Sequence, residues 1–198
     1  MNKIETLCLL CSQPLQSAIS WKILLTKQFQ PTICDRCSAR FEYSPTATAS
    51  ALYQYNDAMK DYLHRYKFLQ DVALAKVFRQ ELHARLKHEK ATIIPIPMHP
   101  LKQRERTFSH TGELLKAATI PFVQLLEKTT AETQSSKNRE QRIQAAPLFR
   151  LMTGAHIEHK EYLLFDDIKT TGTTLQHATE ILMNAGAKNV KSFTLING

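Results

Sequence analysis

The sequence predicts an α/β fold, a twisted, mostly parallel sheet flanked by helices, with a small cysteine-rich module at its N-terminal end. Three observations predict it. All four cysteines fall within the first 37 residues. From Leu52 onward, segments with helical apolar spacing alternate with short strand-like runs. Tyr162-Leu163-Leu164-Phe165 is apolar at every position, as a parallel strand covered on both faces must be.

Cys8-Leu9-Leu10-Cys11 and Cys34-Asp35-Arg36-Cys37 are two CxxC pairs. Two intervening residues let both sulfurs of a pair face one ion, and two such pairs complete a closed tetrathiolate, the donor set of structural zinc. Disulfides need an oxidising compartment, and a redox CxxC needs no second copy. Cys8, Cys11, Cys34 and Cys37 are therefore the expected Zn²⁺ ligands. A segment this short has too little core to fold alone, so metal binding is expected to stabilise it. Its role is either a clip for the N-terminal segment or a docking surface. The expected boundaries are 1–45 for this module and 46–198 for the second domain.

The remaining elements follow in order. Asn56 caps a helix with Met59, Tyr62, Leu63 and Tyr66 on one face. Leu74, Phe78, Leu82 and Leu86 predict one helix over about 71–88. Thr92–Pro97 reads as a buried strand stopped by its prolines, 109–118 as a helix, and 123–126 as a short strand. Residues 127–150 are polar and basic, a candidate mobile loop. After the Tyr162–Phe165 strand comes a helix carrying Leu175, Ala178, Ile181 and Leu182, stopped by Gly186, and Val190–Ile196 closes the sheet. His64, His83 and His88 show no ligand spacing and are expected to face solvent.

No stretch approaches the roughly 20 apolar residues of a membrane span, and residues 1–6 lack the pattern of a signal peptide. The chain is expected in the cytoplasm. Its net charge of +8 favours anionic partners, phosphates or nucleic acid.

The densest signal is Phe165-Asp166-Asp167-Ile168-Lys169-Thr170-Thr171-Gly172-Thr173-Thr174. An apolar strand ends in two carboxylates, followed by a Thr/Gly loop and a helix. Backbone N–H groups, threonine hydroxyls and a helix N-terminus can converge on one phosphate. Gly172 allows the tight turn and the close approach. Asp166 and Asp167 would repel that phosphate and fit better as acceptors for ribose hydroxyls. Together they predict a ribose-5-phosphate pocket at Asp166, Asp167, Thr170, Thr171, Gly172, Thr173 and Thr174.

This segment resembles the signature of type I phosphoribosyltransferases, which bind phosphoribosyl pyrophosphate (PRPP). Tyr66-Lys67-Phe68 with Asp71, Pro95–Pro100, Arg104–Phe108, and Gln134, Arg142 and Phe149 extend the resemblance over nearly the whole chain to the ComF competence family. The resemblance implies a type I phosphoribosyltransferase-like domain joined to the cysteine module, and a role in natural transformation, in the uptake or handling of incoming single-stranded DNA. It implies PRPP with Mg²⁺ as ligand, with Lys67, Arg104 and Arg106 as candidate pyrophosphate contacts. The implied partners are the ComF-operon helicase-like ATPase and DNA-processing proteins, through which the chain would reach the inner face of the membrane. Lys137, Arg139 and Arg142, in the basic loop, are the candidate contacts to single-stranded DNA.

Five positions depart from the family pattern, three of them where Arg106-Thr107-Phe108-Ser109-His110 stands in place of the usual Arg-Gly-Phe-Asn-Gln. Thr107 stands where the family has glycine, and a β-branched residue does not readily take positive φ. Ala131 and Ala145 replace Thr and Asn. These departures fall outside the phosphate loop and are compatible with PRPP binding, but they put transfer chemistry in question, so no catalytic residue is assigned. Two alternatives stand beside the competence reading: a nucleobase-salvage phosphoribosyltransferase, and a PRPP-sensing regulator that binds nucleic acid.

Overall fold

The computed structural model describes residues 6–15, 29–45, 50–129 and 148–198. Its elements are α1 (Asp35–Ser38), β1 (Ala51–Gln54), α2 (Asp57–Lys67), a 3₁₀ turn (Val72–Lys76), α3 (Arg79–Leu86), β2 (Thr92–Pro95), α4 (Pro100–Arg106), α5 (His110–Ala117), β3 (Leu126–Lys128), β4 (Phe149–Leu151), β5 (Glu161–Lys169), α6 (Thr173–Asn184) and β6 (Asn189–Asn197).

Four strands form one sheet in the order β1-β6-β5-β2, and every neighbouring pair is parallel. Apolar side chains alternate between its faces because successive strand residues point to opposite sides. Leu163 and Phe165 join Tyr62, Tyr66 and Phe78 in one core, while Tyr162 and Leu164 join Leu175, Ala178 and Leu182 in the other. Each fully buried Leu or Phe among these contributes roughly 1.5–3 kcal/mol of transfer free energy.

The predicted cap at Asn56 holds, and Ser109, expected only as the start of a helix, caps α5. Asn56 Oδ1 accepts from the Met59 N–H at 3.0 Å, and Ser109 Oγ accepts from the Gly112 N–H at 3.2 Å. Gly186 ends α6 at φ 107°.

Several expectations need correction. The single helix over 71–88 is a 3₁₀ turn followed by α3. Leu74, Phe78, Leu82 and Leu86 are all buried as expected, but the Tyr62 hydroxyl and the Val77 N–H both bond to the Leu74 carbonyl. That carbonyl is thereby taken from the α-helical register. The strand at 123–126 is displaced: β3 begins at Leu126 and pairs antiparallel with β4 in a separate two-stranded ribbon. The ends of the expected loop at 127–150 are thus strand, and 130–147 lie outside the described residues. β5 does not stop at Phe165. It runs to Lys169 because β6 pairs with it as far as Lys169↔Asn197. Neither α4, capped by His99 with Pro100 in its first turn, nor β1 was anticipated. His83 is half-buried, its Nδ1 2.9 Å from the Ala118 carbonyl.

Candidate functional site

The cysteine centre draws on two segments. The knuckle at Cys8–Cys11 is closed by a 2.8 Å bond from the Ser12 N–H to the Cys8 carbonyl, and Cys34 precedes α1, which holds Cys37. The four sulfurs all lie within 4.8 Å of one another, and Cys11 Sγ and Cys34 Sγ are 3.7 Å apart. A disulfide would require about 2.05 Å. A tetrahedron with metal–sulfur bonds of about 2.3 Å has edges of about 3.8 Å, so the spacing fits a bound ion. The backbone N–H of Cys34 donates to Cys8 Sγ at 3.3 Å, a contact that stabilises a thiolate. The Gln13 N–H lowers the Cys11 thiol to about 6, whereas burial pushes Cys37 up to about 12. These four residues can hold a metal ion.

The Thr/Gly loop sits at the carboxyl end of β5, where ligands bind in open α/β sheets. Gly172 adopts φ 78°, and a Cβ there would lie 3.3 Å from Lys169 Cε. The loop is braced by Thr171 Oγ1, which lies 3.0 Å from Thr173 Oγ1, and by the 2.7 Å bond from the Gly198 N–H to the Lys169 carbonyl. Thr170 and Thr171 are exposed, and α6 starts immediately after the glycine. The Thr173 N–H donates to Thr171 Oγ1 at 3.4 Å, and the 12-residue helix begins without a side-chain cap from Gly172.

The two carboxylates before this loop have different surroundings. Asp167, on the face of Leu163 and Phe165, is buried and forms an ion pair with Lys67 Nζ at 2.7 Å. Asp166 lies on the opposite face, where Lys128 approaches it. It still touches solvent, but the surrounding protein and, second, the charge of Asp167 raise it to about 8. Burial lowers Lys128, aided by Lys102 and opposed by Asp166.

Of the candidate pyrophosphate contacts, Lys67 is therefore already committed to Asp167. Arg106 packs its guanidinium 5.0 Å from the Phe68 ring centroid and reaches His110, and Arg104 is exposed on α4. Thr107, between α4 and α5, adopts φ 64°. The left-handed geometry is kept here despite the β-branched side chain, contrary to expectation. His110 is 4% exposed; burial, with Lys67 and Arg106 adding to it, lowers its imidazole to about 4. Lys137, Arg139 and Arg142, the candidate DNA contacts, lie outside the described residues, as do Ala131, Gln134 and Ala145.

Sequence reasoning missed a cavity of about 720 Å³ between α2 and the ends of β5 and β6, lined by Tyr55, Lys67, Phe68, Arg106, Ile168 and Thr170. Phe68 and Tyr55 are exposed at its rim. It also missed Lys128 as a neighbour of Asp166, and Arg65 as a bridge to the cysteine knuckle. Only the Tyr66-Lys67-Phe68 cluster hinted at any of this, because these contacts join segments far apart in the chain.

Residues 108–198 match the phosphoribosyl transferase domain family. The chain is 33% identical to competence protein ComFC of Streptococcus pneumoniae over 96% of its length and 99% of that protein. It is 25% identical to competence protein ComFC of Bacillus subtilis, over 97% of this chain and 95% of that one. Among solved structures it resembles APRTase from Giardia lamblia complexed with 9-deazaadenine, with a TM-score of 0.43, 17% identity, and coverage of 82% of this chain and 96% of that chain. The phosphoribosyltransferase-type sheet flanked by helices is thus shown by the family match together with the topology. No helix among the described residues is long and apolar enough to cross a membrane.

Proposed function

This chain belongs to the ComFC family of competence proteins, and from that premise we propose that it handles incoming single-stranded DNA in natural transformation while binding PRPP, or a related phosphorylated ribose, at the loop after β5. The loop carries this reading: a glycine at φ 78°, exposed threonines and the N-terminus of α6 follow the end of β5, whose C-terminal half includes two carboxylates.

In this reading Thr170, Thr171, Gly172, Thr173 and Thr174 hold the 5-phosphate. Asp166, the more accessible carboxyl, accepts from the ribose hydroxyls, and Asp167 holds Lys67 at the pocket. Arg104 and Arg106 serve the pyrophosphate. Mg²⁺, if bound with the pyrophosphate near Arg104 and Arg106, would add neutralisation of its charge. Cys8, Cys11, Cys34 and Cys37 hold a structural zinc ion. Residues 1–45 and 46–198 act as a metal module and a ligand domain. Partners of this role are a helicase-like ATPase and DNA-processing proteins at the cytoplasmic face of the membrane.

The cavity beside Thr170 favours a second reading, transfer to a nucleobase, since it is roomy, rimmed by aromatic rings and adjacent to the ribose position. Titration calorimetry with PRPP and Mg²⁺ tests the first reading. Wild type binds, and Gly172→Val, which places a β-branched residue at φ 78°, loses binding at least tenfold. Equal binding by both proteins places the phosphate elsewhere. PRPP consumption with each common nucleobase tests the second.

A further inference from the structure

Three consecutive residues of α2 reach three separate parts of the molecule. Arg65 donates through Nη1 to the Leu10 carbonyl at 3.0 Å and through Nη2 to the Leu9 carbonyl at 2.9 Å. These are the two residues between Cys8 and Cys11. The same guanidinium pairs with Asp71 Oδ2 at 3.0 Å. Tyr66 donates its hydroxyl to the His110 carbonyl at 2.7 Å, and Lys67 holds Asp167 at 2.7 Å. Arg65 and Lys67 are separated by about 3 Å of helix rise and point to opposite sides of α2. One rigid element therefore touches the cysteine knuckle with one side chain and the ligand pocket with another.

We propose that Arg65 is a positioning residue that couples the two sites, so that a metal ion in the knuckle and a phosphoribosyl ligand at the β5 loop raise each other's affinity. The proposal rests on the readings of both sites given above. The Leu9 and Leu10 carbonyls point at Arg65 only while the knuckle keeps the turn that aims Cys8 and Cys11 at one point. A knuckle without its ion relaxes that turn and withdraws two acceptors from a guanidinium that is only one-third exposed. Arg65 then keeps Asp71 alone, and the C-terminal turn of α2, which sets Lys67 against Asp167, loses one of its anchors. Leu9 and Leu10 also pack against the core that contains Tyr62, Tyr66 and Phe165, so the knuckle cannot loosen without disturbing the same face of the sheet. Arginine suits this place because its planar fork spreads its donors over two nitrogens, Nη1 to Leu10 and Nη2 to Leu9 and Asp71, where an ammonium has a single one.

Coupling of this kind is reciprocal: whatever factor zinc adds to ligand affinity, the ligand adds to zinc affinity. The test uses the full, zinc-loaded chain in excess Mg²⁺ and measures zinc transfer to a zinc-selective chromogenic chelator, with and without saturating PRPP. In wild type, PRPP raises zinc retention about fivefold or more. In Gly172→Val, given PRPP at a concentration that half-fills the wild type, the effect falls at least severalfold, which sets the baseline. In Arg65→Lys, zinc still binds at one ion per chain, but PRPP changes its retention less than twofold. Thermal melting of zinc-loaded Arg65→Lys and Arg65→Ala shows which variant stays folded, and the folded one is used. Wild type that binds both zinc and PRPP with no change in retention overturns the coupling and leaves both sites standing. Wild type that binds no PRPP overturns the pocket reading and the coupling together. Full coupling in the folded Arg65 variant overturns the role of Arg65.

Discussion

The ammonium of Lys67 lies 2.7 Å from a carboxylate oxygen of Asp167, with the two side chains 17% and 7% exposed. This pair joins α2 to β5 at the edge of the ligand pocket. It also gives Tyr66-Lys67-Phe68 a structural task, with Tyr66 turned into the core and Phe68 left at the rim of the cavity.

Removing one partner leaves the other as a nearly buried, unpaired charge. Lys67→Met is expected to cost about 3–5 kcal/mol, and Lys67→Met with Asp167→Asn markedly less. Urea denaturation of the two variants checks this. A double variant as unstable as the single one would show that the stability of Lys67 comes from its packing.

Asp166 is held near 8, above the ordinary carboxylate range near 3.8. Between those values the folded chain keeps a proton that the unfolded chain has released, so this group lowers stability as pH rises from about 4 to 8. Asp166→Asn removes that contribution. Zinc-loaded wild type should lose several degrees of melting temperature relative to Asp166→Asn between pH 5 and 8. Parallel curves for the two proteins would count against the raised carboxyl.

Thr107 occupies a left-handed conformation at φ 64°, which costs an L-residue about 1–2 kcal/mol. Glycine accepts this geometry but loses more chain entropy on folding. Thr107→Gly is therefore expected to stabilise the protein by up to about 1 kcal/mol, read from the urea midpoint. A destabilised variant would mean that the threonine side chain makes up for its backbone strain.

With four sulfurs within 4.8 Å of one another, Cys34→Ser leaves three thiolates and a broken tetrahedron. Zinc should fall from one ion per chain to well below that. Amides of residues 6–15 and 29–45 should lose protection from hydrogen exchange while those of β5 keep theirs. Metal analysis with exchange mass spectrometry reads both.

The basic loop carries the proposed DNA contacts. If Lys137, Arg139 and Arg142 each neutralise a phosphate of a single strand, changing all three to alanine should flatten the slope of log affinity against log salt by about 2. Labelled oligonucleotides titrated at several salt concentrations give the slope. An unchanged slope together with weaker PRPP binding would assign the loop to the pyrophosphate.

The sequence by itself determined whatever depends on neighbours along the chain. Duplicated CxxC spacing brought four thiols to one place, Asn56 capped its helix, and the Thr-Thr-Gly turn followed β5. These features are legible because local geometry and covalent spacing fix them. Only the tertiary structure decided how distant groups share charge and space. A DD dipeptide reads as two equivalent acceptors, yet strand alternation sends Asp166 and Asp167 to opposite faces, one toward Lys128 and the other onto Lys67. The extension of β5 to Lys169 follows from pairing with β6, which no local propensity encodes. Likewise Arg65 reads as one more surface cation on an amphipathic helix. Packing of the N-terminal knuckle against α2 sets two carbonyls within its reach, and the desolvation cost of leaving them unpaired holds it there.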